Sequence, residues 1–187
     1  MGAIVLAGGR SSRFGRDKLA EEIDGRPLLQ HAIAAVRALT DEIVVVAAPY
    51  ADLPVPEGIA LVHDRRPFEG PLAALDAGLA ASPVDRVIVV AGDMPTLVPA
   101  VLGRLIAALE ADADAAILEV DGPRAILPLA LSVEPASAAV RRLVDTGERR
   151  LGALLDAMAV GTVPAAEWRI DDPDGLTFRD IDTPADL

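Results

Sequence analysis

The sequence predicts an α/β fold: a doubly wound, mostly parallel sheet covered by helices on both faces, giving three layers. Short β-branched runs alternate with segments of helical periodicity, and strands separated by helices pair in parallel through right-handed crossovers. The apolar content supports the same fold. Of all residues 52% are hydrophobic but only 3% are aromatic, which suits an aliphatic core of helices packed on a parallel sheet.

Four apolar runs in the first half predict the parallel strands, and turn residues bound each of them. These runs span residues 3–6, 43–46, 59–62 and 87–90. The segments between them predict helices. Pro27 fits the first position of the first helix. The apolar face of that helix carries Leu29, Ile33, Val36 and Leu39. Two more helices are predicted over residues 71–81 and 97–109.

The second half is less regular than the first. Residues 115–120 and 124–131 predict two further strands, and the intervening Asp-Gly-Pro at 121–123 is typical of a turn between antiparallel partners. Residues 135–144 and 148–158 then follow helical periodicity. With no internal repeat and no convincing linker, residues 1–187 are expected to form a single domain, a usual size for one hydrophobic core.

Composition excludes several classes of function. The chain has no cysteine, which removes disulfides, thiolate nucleophiles and zinc-thiolate sites. A formal net charge of −12 argues against general binding to nucleic acid or to an anionic membrane. No apolar stretch is long enough to span a bilayer, and no cationic segment precedes an apolar one as in a secretory signal. We therefore expect a cytoplasmic protein with no nucleic-acid or membrane partner.

The most informative segment is LAGGRSSRFGRDK at residues 6–18, directly after the first predicted strand. Gly8 and Gly9 allow a sharp turn and let backbone N–H groups approach phosphate oxygens. Four cations follow within the segment, at Arg10, Arg13, Arg16 and Lys18. A local cluster of cations in an acidic protein indicates a bound anion. The first half of the sheet is thus predicted to be Rossmann-like and to bind a nucleotide.

Two common phosphate-binding patterns do not match this loop. A Walker loop requires Gly-Lys-Ser/Thr after four intervening residues, and a dinucleotide loop requires Gly-x-Gly-x-x-Gly. After Gly9 the next glycine is Gly15. The alternative, a surface turn with solvated arginines, is weakened by the position of the loop at the end of a strand.

Two aspartates follow later strands of the predicted parallel sheet, where such sheets bind ligands. Asp93 ends the run at 87–91, and its carboxylate is a suitable oxygen ligand for Mg²⁺ that bridges phosphates. Asp64 follows the strand at 59–62. A helix cap or a turn is the structural alternative for both. For Asp182, before Thr183-Pro184, a helix cap is as open as a functional role, which would be a second metal ligand or a substrate contact.

The loop, together with GRPLLQHAI at 25–33, resembles the N-terminal signature of nucleotidyltransferases related to the molybdenum cofactor guanylyltransferase. The similarity extends through HDRRPFEGPLAALDAGL at 63–79 and GDMP at 92–95. It continues through RAILPLAL, GERRL and IDTPADL in the second half, and so covers nearly the whole chain.

The resemblance implies roles for particular residues. Leu6, Ala7, Gly8 and Gly9 would line the nucleotide, Lys18 would contact its phosphates and Asp64 would help to bind it. Asp93 would ligate Mg²⁺, with Asp182 as an open second ligand. Arg13, Lys18 and the metal would stabilise the transferring α-phosphate.

The implied reaction transfers GMP from GTP to the terminal phosphate of molybdenum-molybdopterin and releases pyrophosphate. GTP and molybdenum-molybdopterin are then the substrates. Transient contact with other cofactor-biosynthesis proteins, or with the enzymes that accept the product, is also expected.

Two departures from the guanylyltransferase pattern leave the base preference open. The family commonly has an asparagine after the second strand and Asn-x-Asn-Thr-Pro near its end, where this chain has Ala47-Ala48-Pro49 and Asp180-Ile181-Asp182-Thr183-Pro184. The paired aspartates are closer to cytidylyl-transferring relatives, whereas Asp17-Lys18 and Gly70-Pro71-Leu72 resemble the guanylyl branch. A CTP-dependent molybdopterin cytidylyltransferase, or a guanylyltransferase for another phosphorylated small molecule, is therefore the nearest alternative.

Two hypotheses from other classes also remain. A noncatalytic nucleotide-sensing domain is disfavoured because a binder has less need of the metal ligand Asp93 beside Lys18. A Rossmann-type dehydrogenase is disfavoured by the missing Gly-x-Gly-x-x-Gly, and binding of NAD would restore it.

Overall fold

A computed structural model of the chain describes residues 1–8, 18–64, 70–109, 113–181, 183 and 186. Within these residues the strands form a seven-stranded sheet and a separate two-stranded ribbon. Helices cover both faces of the large sheet, which confirms the predicted three-layer α/β class. In this same part of the chain, every helix is too short or too polar to cross a membrane.

The strands and helices are numbered in chain order. The strands are β1 (Gly2–Ala7), β2 (Glu22–Ile23), β3 (Arg26–Pro27), β4 (Ile43–Ala47), β5 (Ala60–His63), β6 (Arg86–Ala91), β7 (Ala115–Leu118), β8 (Leu129–Ser132) and β9 (Val160–Val163). The α-helices are α1 (Leu28–Arg37), α2 (Pro71–Ala81), α3 (Pro99–Ala108), α4 (Val133–Asp145), α5 (Gly152–Asp156) and α6 (Ala165–Trp168). Short 3₁₀ turns span Lys18–Ala20 and Leu176–Phe178.

The large sheet has the order β5-β4-β1-β6-β8-β7-β9. Among its described strands, β8 alone is antiparallel to its neighbours β6 and β7, and the other pairings are parallel. Strand β1 is paired on both sides, with Val5 opposite Val45 of β4 and Val90 of β6. Because both faces of β1 are also covered by helices, its sequence is a continuous apolar run rather than an alternating one.

Alternate residues of β1 enter two separate cores. Ala3 and Val5 pack into the core under α1, α3 and α6, whereas Ile4 and Leu6 pack into the core under α2, α4 and α5. This two-residue period follows from the pleat of the strand, which turns successive side chains to opposite faces. The central strand therefore joins both helical layers, and the loop that leaves its carboxyl end starts from a rigid base.

Most predicted elements of the first half are confirmed within one or two residues. The strand and helix at β4 and α2 match the predicted ranges closely. The interpretation of Pro27 was wrong in detail. It pairs with Glu22 in the ribbon and is the N-cap of α1 rather than its first residue, because the Asp24-Gly25 turn, with positive φ at both residues, folds the chain back just before the helix.

The second half departs further from the predicted ranges. The strand predicted at 124–131 is reduced to Leu129–Ser132, since Pro128 has no N–H for a ladder and pairing with β6 and β7 begins at Leu129. The helix predicted at 148–158 is reduced to α5. The Glu148 carboxylate accepts hydrogen bonds from the backbone N–H groups of Arg149 and Arg150, and these bonds hold residues 148–150 in a non-helical conformation before α5 begins. Strand β9, with Gly161 in its centre, was not predicted.

Helix α2 lies unusually close to the sheet at Gly78. A Cβ at Gly78 would stand 2.7 Å from Ile4 Cγ2 and 3.0 Å from Val46 Cγ2, and both side chains are fully buried. Absence of a side chain at this position therefore sets the spacing between the helix and strands β1 and β4.

We predict that G78A lowers the free energy of unfolding. Crowding in a close-packed core typically costs about 1–3 kcal/mol, which exceeds the gain of up to about 1 kcal/mol from replacing a helical glycine by alanine. The matched control is G103A in α3, where an added Cβ would meet nothing within 4 Å and only the helix-forming gain applies. Urea unfolding should show opposite signs for the two variants. Equal stabilisation of both would disprove the close-packing argument.

Candidate active site at the carboxyl edge of the sheet

The carboxyl ends of the parallel strands β1, β4, β5 and β6 lie side by side and form one edge of the sheet. We call this edge the carboxyl edge. Leu6 and Ala7 of β1 are buried, so only their backbone groups face a ligand at this edge, and the Leu6 carbonyl accepts a hydrogen bond from Gly92 N–H at 2.9 Å. Gly8 is exposed, and its missing Cβ would lie 3.7 Å from the backbone N of Ala48. The carboxyl end of β1 therefore lies beside the first residues that follow β4 and β6.

A cation and a carboxylate meet at the centre of this edge. Lys18 Nζ lies 2.6 Å from Asp93 Oδ2 and also donates a hydrogen bond to the carbonyl oxygen of Ile181 at 2.9 Å. The side chains of Lys18 and Asp93 are 18% and 21% exposed, so the pair is shielded yet reachable from solvent. Two residues that the sequence analysis singled out separately are thus neighbours.

The C-terminal segment holds the loop that carries Asp93. Residues 172–181, named the C-terminal strap, contact this loop at several points. Ile181 N–H donates to the backbone carbonyl of Asp93 at 3.0 Å, and Thr96 Oγ1 donates to the carbonyl of Leu176 at 2.7 Å. Val98 N–H donates to Thr177 Oγ1 at 3.2 Å. These bonds hold the Asp93 loop against the strap, which Lys18 also contacts through the Ile181 carbonyl.

Asp172 stabilises the strap itself. Its carboxylate is 2% exposed and accepts hydrogen bonds from Leu176 N–H at 2.9 Å and from Thr177 N–H at 2.8 Å. A buried carboxylate needs such donors because it has lost its contacts with water. The two bonds cap the 3₁₀ turn and place the Thr177 hydroxyl where Val98 reaches it.

Asp64 stands at the same edge, two strands away from β1. Its N–H donates to the carbonyl of Ala47 at 2.9 Å, which continues the pairing of β4 and β5 by one residue. It borders a cavity of about 600 Å³ between β5 and α2. The walls of this cavity are Val62, His63, Asp64, Ala73, Asp76, Ala77, Ala80 and Ala81. Asp64 therefore lines this cavity at the end of β5.

Several predicted site residues lie outside the described part of the chain. These are Gly9, Arg10, Arg13, Arg16 and Asp182. Their roles remain sequence-based predictions. Within the described ranges, no group of three or more His, Cys, Asp or Glu side chains could hold a metal ion. Asp93 therefore offers one carboxylate to a metal, which is sufficient for Mg²⁺ when substrate phosphates supply further oxygens.

The segment 148–150 supports another border of the edge, at the start of α2. Gly70 has φ +95°, and a Cβ there would lie 2.9 Å from the carbonyl oxygen of Arg149. The Arg149 backbone is held in turn by Glu148. The Arg150 side chain, together with the N–H groups of Arg150 and Arg149, lowers the pKa of Glu148 to about 2. Only glycine fits this conformation and this close approach together.

Sequence reasoning missed two contributors to the Lys18–Asp93 site, Ile181 and Asp172, and one exposed aromatic residue at the same edge, Tyr50. The Ile181 carbonyl carries no side-chain signal. Asp172 begins an Asp-Pro-Asp-Gly string that indicates a turn but not its docking on the Asp93 loop. Tyr50 follows Pro49 in the turn after β4 and is fully exposed. In the sequence, Tyr50 was distinguished only by being the single tyrosine of the chain.

Comparison with known proteins gives consistent results. The sequence model of the MobA-like NTP transferase domain matches residues 3–161. A probable molybdenum cofactor guanylyltransferase of Chloroflexus aggregans is 35% identical, over all of this chain and 91% of the relative. A molybdenum cofactor guanylyltransferase of Desulfosudis oleivorans is 28% identical over 98% of this chain and 91% of its own length. The solved molybdopterin-guanine dinucleotide biosynthesis protein A of Archaeoglobus fulgidus, 24% identical, shares the fold with a TM-score of 0.81, over all of this chain and 94% of that one.

We predict that T177V destabilises the protein by about 1–3 kcal/mol, because the half-buried Val98 N–H then loses its acceptor. T177S keeps the hydroxyl and loses one methyl group, which costs about 0.8 kcal/mol. Urea unfolding measures both. Equal stability of the two variants would show that the hydrogen bond from Val98 does not hold the strap.

We predict that Glu148 titrates near pH 2, well below its ordinary pKa of 4.5. Because the folded-state pKa is depressed, its contribution to stability is complete above pH 4.5 and is lost as the pH falls toward 2. The carboxyl carbon shift of Glu148 in a pH titration by NMR measures this pKa. R150M should move it back toward 4.5, since the Arg150 side chain is the largest cause. An ordinary pKa in the unmodified chain would contradict the prediction.

Proposed function

The chain belongs to the MobA-like NTP transferase family, and on that premise we propose that it transfers GMP from GTP to the terminal phosphate of molybdenum-molybdopterin, releasing pyrophosphate. The relatives named as guanylyltransferases support this activity, since two of them align with nearly the whole chain. The structural observation that carries the proposal is the Lys18–Asp93 pair at the carboxyl edge, directly beside the loop after β1.

The reaction requires one bond to form and one to break at phosphorus. An oxygen of the acceptor phosphate attacks the α-phosphorus of GTP, and the bond to the bridging oxygen of the β-phosphate breaks. Pyrophosphate leaves with that electron pair. A phosphate monoester has a second pKa near 6, so the attacking oxygen is already deprotonated near neutral pH. A general base is therefore unnecessary.

Lys18 and Asp93 have separate tasks in this proposal. The Lys18 ammonium exchanges its contact with Asp93 for the phosphate oxygens of GTP and offsets the charge that they carry during transfer. Asp93 would hold Mg²⁺, which neutralises and orients the phosphates when bound. The Asp93 carboxylate suits this ion, because it already pairs with a cation at 2.6 Å and substrate phosphates can supply the remaining oxygen ligands.

The strap limits how far Asp93 can move. Its carbonyl is tied to Ile181 N–H, and the following loop is tied to Leu176 and Thr177. These bonds hold the backbone that carries Asp93, so we expect the loop to keep its position when Lys18 turns toward phosphates. We expect this preorganisation to matter because small displacements at a phosphoryl-transfer site cost large factors in rate.

Location and partners form a further part of the proposal. The absence of cysteine and the biosynthetic role suggest that the protein acts in the cytoplasm. The product would pass by transient contact to other cofactor-biosynthesis proteins or to acceptor enzymes.

We predict that GTP with Mg²⁺ raises the thermal stability of the chain more than CTP, ATP or NAD does. Ligand at a hundredfold excess over its Kd stabilises the native state by about 2.7 kcal/mol. Removing the metal with EDTA should reduce the shift. A larger increase in melting temperature with CTP than with GTP would favour the cytidylyl reaction. An increase with NAD alone would favour the dehydrogenase hypothesis. Nucleotide binding without pyrophosphate release, with molybdenum-molybdopterin present, would favour a sensing domain.

We predict that D93A lowers kcat by at least about a hundredfold, which is the usual loss when one transition-state-stabilising group is removed. K18A should weaken GTP binding by about 1.5–3 kcal/mol, the range for a hydrogen bond to a charged group. The matched control is R104M, which breaks another half-buried ion pair, with Asp171, outside the site. Pyrophosphate release and GTP titration are the measurements, with circular dichroism to check the fold. Full turnover by D93A would remove Asp93 from the mechanism.

A further inference from the structure

Tyr50 occupies a backbone conformation that tyrosine rarely adopts. Its φ is +64°, and it is the third residue of a four-residue turn that is closed by a hydrogen bond from Ala51 N–H to the Ala48 carbonyl at 3.1 Å. With Pro49 at the second position, this is a type II turn, whose third position normally requires glycine or asparagine. A bulky side chain in this position is a genuine outlier that costs stability.

The side chain gains nothing from the folded protein in return. Tyr50 is 100% exposed, so its ring packs against no part of the described structure. Aromatic residues are rare in this chain, and the only tryptophan, Trp168, is buried at 2% exposure. An aromatic ring that is both strained and unburied in the free protein is an indication of function rather than of packing.

The turn is part of the carboxyl edge. Ala48, its first residue, adjoins Gly8, whose missing Cβ would lie 3.7 Å from Ala48 N. Ala51, its last residue, has its carbonyl 3.4 Å from His63 Nε2 at the end of β5. Asp64 is bonded to Ala47, one residue before the turn. Tyr50 thus stands between the phosphate-binding loop after β1 and the Asp64 side of the edge.

The layout of the edge indicates which part of a nucleotide reaches Tyr50. The C-terminal strap covers the β6 side, through the contacts of Ile181 with Lys18 and Asp93. The turn at Tyr50 and Asp64 lie on the other side of β1, at the carboxyl ends of β4 and β5. A nucleotide whose phosphates lie at Gly8 and Lys18 therefore extends its base over β4 and β5, toward the turn.

We propose that Tyr50 is a nucleobase-binding residue, whose ring stacks on the planar base of the bound nucleoside triphosphate. This inference rests on the proposed function, because it assumes that the triphosphate lies at Gly8 and Lys18. Stacking requires only the face of a heterocycle, so Tyr50 contributes affinity for any base, and groups on other loops select guanine or cytosine.

Binding measurements with two ligands separate the base from the phosphates. We expect Y50A to weaken GTP binding about tenfold, equivalent to about 1.4 kcal/mol, and to leave inorganic tripolyphosphate binding unchanged. Y50F should bind GTP within about twofold of the unmodified chain, since it keeps the ring. The control L61A removes a partly exposed apolar side chain from the neighbouring strand β5 and should change neither affinity.

A third variant distinguishes stacking from a structural role. Y50G introduces glycine, the residue that this turn position favours. The melting temperature of Y50G should therefore equal or exceed that of the unmodified chain, while GTP binding falls as in Y50A. The ring resonances of the single tyrosine should also shift when GTP is added, and not when tripolyphosphate is added. Loss of stability in Y50G together with weaker GTP binding would assign Tyr50 to the turn instead.

The possible failures are distinguishable. Suppose that the unmodified chain binds GTP more tightly than tripolyphosphate and that Y50A binds GTP with the same affinity as the unmodified chain. The stacking inference is then overturned and the proposed function stands. If 6-hydroxymethylpterin binding, and not GTP binding, is lost in Y50A, Tyr50 serves the acceptor and the nucleobase assignment is wrong. If the unmodified chain binds GTP no better than tripolyphosphate, no base is recognised and both proposals fail.

Discussion

The ion pair between Lys18 and Asp93, completed by the Ile181 carbonyl, is the contact on which the site depends. It joins residues that are 75 and 163 positions apart in the chain. An ammonium group with three donors can contact a carboxylate and a carbonyl at once, and the Asp93 side chain in this pair is only 21% exposed. In the proposed reaction, the same shielding would strengthen the electrostatic interaction between Lys18 and the substrate phosphates.

That contact is placed by the sheet rather than by the loops alone. Strand β1 is paired on both sides and contributes side chains to both cores, so the start of its loop cannot shift without disturbing two helical layers. Strand β6 is its neighbour and carries Asp93 just beyond its end. The hydrogen bond from Gly92 N–H to the Leu6 carbonyl continues this pairing into the loops. A rigid centre thus carries chemistry on adjacent loops, as in other open α/β sheets.

Local sequence patterns were informative where one interaction dominates. The strands β1, β4 and β6 and the helices α2 and α3 were predicted because apolar periodicity records burial, and burial is the main force in a core. The edge strand β5 was predicted from its apolar run, although most of its residues are exposed. The second half was predicted less well. There the Glu148 carboxylate competes for backbone N–H groups that a helix would use, and β9 is a four-residue strand interrupted by Gly161. Such outcomes depend on partners that are distant in sequence.

By itself, the sequence determined the three-layer class and the first four strands of the large sheet, and it singled out Lys18, Asp64 and Asp93 as candidate site residues. It did so because spacing along a strand or helix reflects which face is buried, and because parallel strands bring their carboxyl ends to one edge. Only the tertiary structure decided that Lys18 contacts Asp93, that Asp172 and Thr177 hold the Asp93 loop, and that Tyr50 stands exposed in a left-handed turn. These features arise from contacts between segments far apart in the chain, and no local periodicity encodes them.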